Sequence, residues 1–173
     1  MSSLAKSNGF IRLRCIAFGK LKTPGTRETA DHYLKRIRNF SSIEELELKA
    51  YELPPEKSEG NRETALEKEA TLLREKLLDR SGSARSYVCL DERGKKFTSR
   101  EWASWIDQWR GRSPELTFLI GSSIGFHPGI KQSAKELIAL GTQTLPHELA
   151  RVVLYEQIFR ALTILKGHPY HND

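Results

Sequence analysis

Two stretches of the chain hold residues whose types and spacing could do chemistry. The first is Gly121-Ser122-Ser123-Ile124-Gly125, a G-x-S-x-G pattern between an apolar run and a helical one. In a hydrolase this spacing is a nucleophile elbow, with Ser123 exposed where a strand turns into a helix. The second is the C-terminal His168-Pro169-Tyr170-His171. Histidine changes charge near neutral pH and can act as a general base. Ser123, then Glu136, Glu148 or Glu156, then His168 or His171 would give the order Ser, Glu, His of a serine hydrolase, and that reading stays open. The same loop would equally suit a cofactor, because Gly121 and Gly125 let a ligand approach the main chain. It is not G-x-G-x-x-G, which weakens a dinucleotide reading. The two tail imidazoles could begin a metal clip, but no Cys/His cluster supplies the remaining ligands.

The pattern around these residues predicts the elements that must position them. Residues 10–18 alternate and read as a strand. Residues 24–40 open with Pro and Gly and continue at helical spacing. Residues 43–53 alternate again until Pro54-Pro55 stops them. Residues 61–78 form a charged amphipathic helix. "SYVCL" (86–90) is a short strand ending in the charged loop "DERGKK". Thr98 and Glu101 fit a capping box at the start of the next helix. Along it Trp102, Trp105, Ile106 and Trp109 share one face, which is either core or subunit interface. "ELTFLI" (115–120) is a buried strand, 128–139 a helix, "LGTQTLP" (140–146) a strand or loop, and 147–166 a long apolar helix. Such alternation implies an α/β fold, a mostly parallel sheet flanked by helices on both faces. Ligands in such sheets sit at the carboxyl ends of the strands. The loops after Leu90, after Ile120 and around 140–146 are the candidates.

Composition narrows the class further. The 173 residues are 38% hydrophobic and 29% charged, which is a globular balance. No apolar run approaches the roughly 20 residues needed to span a bilayer. Residues 1–9 read as a polar N-terminal extension without signal-peptide character, so a cytoplasmic setting is expected. Cys15 and Cys89 sit in apolar stretches as inert, buried residues. The net charge of +6 is uneven: residues 1–38 carry +7 and residues 39–80 carry −4. A basic N-terminal face suits a polyanion such as nucleic acid. Lys20 and Lys22, in the loop leaving the first strand, are candidate phosphate contacts.

The segments "YVCLDERGKKFTS", "FLIGSSIGFHP", "TLPHELARVVLYEQIFRA" and "HPYH", in that order, resemble the SPOUT-class methyltransferases of the RlmH type, which act on large-subunit ribosomal RNA. "IRLRCIAFGKLK" is similar to the opening strand and Gly-Lys turn of that family. The likeness runs over residues 10–173 and implies one SPOUT domain with a C-terminal trefoil knot, working as a homodimer without metal. It implies S-adenosylmethionine as cofactor, bound by Leu90, Gly121 and the segment Leu140, Gly141, Thr142, Gln143, Thr144 and Leu145. It implies methylation of N3 of a pseudouridine in ribosomal RNA or the assembled ribosome, with His171 as general base and Tyr170 positioning the substrate base. A non-catalytic RNA-binding SPOUT protein is the further alternative. Two positions depart from the family pattern: Ser122 stands where a second glycine is usual, and Asn172 where a basic residue is usual. The apolar terminal helix and tryptophan stripe suggest surface that a second subunit would cover. Arg151 on that helix is expected to face an interface.

Overall fold

The computed structural model describes residues 11–54 and 58–171. The 1–9 extension, Asn172 and Asp173 lie outside them. Five strands, β1 (Arg12–Phe18), β2 (Ile43–Leu48), β3 (Tyr87–Lys96), β4 (Glu115–Ile120) and β5 (Glu136–Ala139), alternate with five helices. The helices are α1 (Thr26–Ile37), α2 (Glu59–Lys76), α3 (Ser99–Arg112), α4 (Pro128–Ser133) and α5 (His147–Leu165). All strand pairings are parallel, in the order β2-β1-β4-β3-β5.

The period of two along each strand decides which core a residue joins. On β1, Leu13, Cys15 and Ala17 face the larger core, while Ile16 and Phe18 face the smaller. On β4, Leu116, Phe118 and Ile120 go one way and Leu119 the other. The larger core packs the sheet against α1, α3 and α5, and the smaller packs it against α2 and α4.

The capping box forms as expected. Thr98 Oγ1 accepts from the Glu101 N–H at 3.3 Å, and a Glu101 carboxylate oxygen accepts from the Thr98 N–H at 2.6 Å. Trp102, Trp105 and Trp109 are buried in the larger core, stacked edge-on in sequence along α3. They are core residues, so the stripe offers no surface for a second subunit.

Three boundaries differ from expectation. The helix expected over 128–139 ends at Ser133, because Glu136–Ala139 pairs in register with β3 as the edge strand β5. Neighbouring β3 supplies hydrogen-bonding partners that a local pattern cannot reveal. The "DERGKK" segment is not a loop: it continues β3 to Lys96, with the pairing to β5 shifted between Leu90 and Lys95. β2 stops at Leu48 rather than running to 53.

Candidate active site

The loops that leave β4 and β5 at their carboxyl ends meet the stretch Leu90–Arg93 of β3, where its pairing shifts register, around one cavity of about 900 Å³. Leu90, Ile120, Ile138, Leu140 and Leu145 supply apolar wall, and the first turn of α5 closes one side through His147 and Ala150. Of the residues expected at the cofactor, Leu90, Gly121, Leu140, Gly141, Gln143, Thr144 and Leu145 line this space, whereas Thr142 does not. Thr144 donates its hydroxyl to a Glu92 carboxylate oxygen, which fastens the 140–146 loop to the middle of β3.

The glycine loop folds on itself. Ser122 to Gly125 makes a tight turn, with the Gly125 N–H donating to the Ser122 carbonyl at 3.0 Å. A Cβ on Gly121 would stand 3.1 Å from the Gly125 carbonyl, so the bare face of Gly121 accommodates this turn as well as the cavity. Ser122 donates its hydroxyl to buried Glu69 on α2 at 2.8 Å. Burial raises the Glu69 carboxyl above its ordinary range, against the lowering effect of its hydrogen bonds from the Tyr51 N–H and Ser122.

Several charged residues around the cavity carried no motif. Arg62, on α2, reaches across to donate to the Ile124 carbonyl at 3.0 Å. Lys131 pairs with Asp91 at 2.8 Å. Burial works to raise the Asp91 carboxyl, but Lys131 and the Arg93 N–H outweigh it, and the carboxyl sits below its usual range. Asp91 and Glu92 stood in the quoted "LDERGKK", yet only their convergence with α4 and the 140–146 loop puts them at a site.

The tail lies elsewhere. α5 ends in a Schellman arrangement: the His168 N–H donates to the Thr163 carbonyl at 2.9 Å and the Gly167 N–H to Ile164 at 3.1 Å. Gly167 takes φ +64°, a left-handed conformation that glycine adopts without strain. Tyr170 then folds back against α5 and α1. Its ring meets Phe159 edge-on at 4.6 Å, between the guanidinium groups of Arg36 and Arg160. Its hydroxyl donates to Glu156 at 3.2 Å. Burial, with Tyr33 and Glu156 close by, pushes the phenol up to about 12. Arg160 also lies 3.2 Å from Nδ1 of His171. The cavity takes in His147 and Ala150 at the start of α5, whereas the tail folds back along α5 onto Glu156, Phe159 and Arg160, two to three turns further on. Within one chain, Tyr170 and His171 do not meet the cavity.

This separation also takes apart the hydrolase constellation. Ser123 lies on the turn beside the cavity, while His168 and His171 are at the far end of α5. The carboxylates have other partners: Glu136 accepts from Trp105, Glu148 from the backbone of Lys22 and Thr23, and Glu156 from Arg160. Among the described residues no histidine hydrogen-bonds Ser123, and no group of three or more His, Cys, Asp or Glu could hold a metal. Nor is any described helix long and apolar enough to cross a membrane.

Arg151 is internal rather than at an interface. Its guanidinium is fully buried and donates to Glu47 at 2.6 Å and to the Gly19 carbonyl at 2.6 Å, with Glu45 at 3.5 Å. Tyr155 donates to the same Glu45 at 2.7 Å. A buried arginine needs this degree of compensation, and β2 supplies both carboxylates.

A parallel α/β sheet with its cavity built by the last three strands defines a class, and the chain belongs to the SPOUT methyltransferase family. A family profile described as "Predicted SPOUT methyltransferase" matches residues 11–171. Among similar curated proteins, the "Ribosomal RNA large subunit methyltransferase H" of Streptococcus uberis is 37% identical over 163 residues, covering 93% of this chain and 99% of that protein. Proteins of the same name from Streptococcus thermophilus and Nitratidesulfovibrio vulgaris are 36% and 37% identical, with 93% of this chain covered in each case and 99% and 98% of those proteins.

Proposed function

We propose that this chain methylates N3 of a pseudouridine in large-subunit ribosomal RNA, using S-adenosylmethionine, as a cytoplasmic homodimer. The observation that carries the reading is the cavity between β3 and the ends of β4 and β5, in a chain whose full-length relatives bear that enzyme's name. Its size falls within the range of small-molecule sites, whose walls are apolar with a few placed polar groups. The leucines and the 140–146 loop suit adenosine, and Glu92 adds a carboxylate at the edge that suits a cationic ligand. The residues present therefore fit the cofactor. When bound, S-adenosylmethionine supplies a methyl group already activated on a sulfonium. We further take the C-terminal part of the chain to be the knotted region of this family.

In this reading the chain's own work is positioning and proton removal. N3 must lose its proton as it is methylated, and the His171 imidazole accepts it. Tyr170 holds the base in line, which supplies much of the rate by orientation. Because α5 keeps the tail of one chain away from its own cavity, a second copy presents Tyr170 and His171 to it. Leu149 and Val153, one turn apart on α5 and only partly covered, supply apolar surface for that copy.

The test supplies labelled S-adenosylmethionine with large-subunit ribosomal RNA, free and in assembled ribosomes, and maps the product by mass. A methyl group on one pseudouridine is expected. His171→Ala should lower turnover far more than cofactor affinity, and equal losses in both would remove the base assignment. Co-expression of His171→Ala with a cavity-blocked Leu140→Arg chain should restore activity that neither has alone. A chain that gives no calorimetric heat with S-adenosylmethionine but retains ribosomal RNA would instead be a non-catalytic RNA-binding protein.

A further inference from the structure

The first turn of α5 has two working sides. One side, His147 and Ala150, lines the cavity. The other, Glu148 and Arg151, grips the loop that follows β1. Arg151 accepts nothing and donates to the Gly19 carbonyl at the start of that loop. Glu148 closes its far end: a single carboxylate oxygen accepts from the Lys22 N–H at 2.7 Å and the Thr23 N–H at 2.8 Å, with the Thr26 hydroxyl, whose shorter bond at 2.6 Å goes to the Thr23 carbonyl, 3.1 Å away. These donors hold the Glu148 carboxyl below its usual range. Between the two anchors, Leu21 packs on the core while Lys20 and Lys22 stand exposed. The His147 ring lies directly over Gly19, so the loop backs onto the cavity wall.

We infer that Glu148 is a positioning residue for substrate RNA, fixing the Gly19–Thr23 loop so that Lys20 and Lys22 meet phosphates beside the cavity. The inference rests on the RNA-methyltransferase reading for its substrate. A free five-residue loop would have to be ordered as RNA binds, at a cost in conformational entropy. Glu148 prepays that ordering within the fold. Its negative charge would by itself repel RNA, yet it is solvated by the N–H groups of Lys22 and Thr23, so its geometry outweighs its sign.

The experiment measures direct binding of the full-length protein to large-subunit ribosomal RNA across a salt series, alongside methyl transfer. Glu148→Ala should weaken RNA binding about fivefold to tenfold. It should also flatten the salt dependence by about one to two in log-log slope, as two phosphate contacts are lost. Affinity for S-adenosylmethionine and kcat should stay within about twofold, with the loss appearing in KM for RNA. Glu148→Gln should bind like the parent, since an amide oxygen accepts the same N–H bonds. In a Lys20→Ala/Lys22→Ala background, Glu148→Ala should add less than about twofold, because the two lesions share one cause. An equal loss in both backgrounds, or a Gln variant as weak as Ala, overturns the inference. Absence of methyl transfer by the parent overturns the enzyme reading instead, while the binding series still judges Glu148.

Discussion

Ser122 and Glu69 form a hydrogen bond of 2.8 Å between the glycine loop and α2. The Ser122 side chain is thus tied back to a buried carboxyl. Ser122→Gly should leave cofactor affinity within about twofold. It should also lower stability by about 1.5–3 kcal/mol, the usual scale for a bond to a charged group. The sign with pH follows from Glu69. Its pKa in the folded state is raised, so its ionised form is the disfavoured one, and stability is lost as pH rises through that titration. Removing a donor enlarges this loss, so the deficit of the variant should grow from acid to neutral pH. Melting temperatures across pH check it, and a pH-independent deficit would contradict it.

Gly94 marks where β3 runs past β5. A Cβ there would lie 2.5 Å from backbone atoms of Leu137 and Ile138. Backbone cannot step aside as a side-chain tip can. Gly94→Ala should therefore cost about 3 kcal/mol or more, at the upper end for overpacking. Urea unfolding reads this, and a loss under about 1 kcal/mol would show that the segment shifts freely.

Arg151→Met should destabilise by about 3–5 kcal/mol, because Glu45 and Glu47 would lose the buried guanidinium that compensates them. Adding Glu47→Gln should recover part of the loss, since it removes a charge left with only the more distant Arg27, at 3.5 Å. If the double variant is as unstable as the sum of the singles, the cost comes from packing and not from charge. Denaturant melts of the four proteins make that comparison.

Cys15 and Cys89 are both free and buried, and burial pushes each thiol up to about 12. The thiolate is the reactive form. Neither should react with a disulfide reagent at pH 8 in the native protein, and both should react in denaturant. Prompt release of one equivalent from native protein would contradict this.

The sequence by itself determined the alternation of strands and helices, the parallel sheet and the loops after Ile120 and around 140–146, but not the continuation of β3 through the expected loop after Leu90. These follow from local periodicity, capping and glycine placement, which a chain carries with it: Thr98 and Glu101 meet because they are three residues apart. Tertiary structure decided the rest, because it turns on distances between residues remote in the chain. Glu136–Ala139 became a strand only because β3 offered an open edge. The tryptophan stripe proved internal once α5 lay beside α3, and Arg151 turned inward once β2 brought Glu45 and Glu47 under it. Arg62 and Lys131 joined the cavity across 59 or more residues of chain from Gly121 or by pairing with Asp91, which no local pattern encodes. The tail could be read as "HPYH", but the contacts of Tyr170 and His171 with Glu156, Phe159 and Arg160 hold ring and imidazole outside their own cavity.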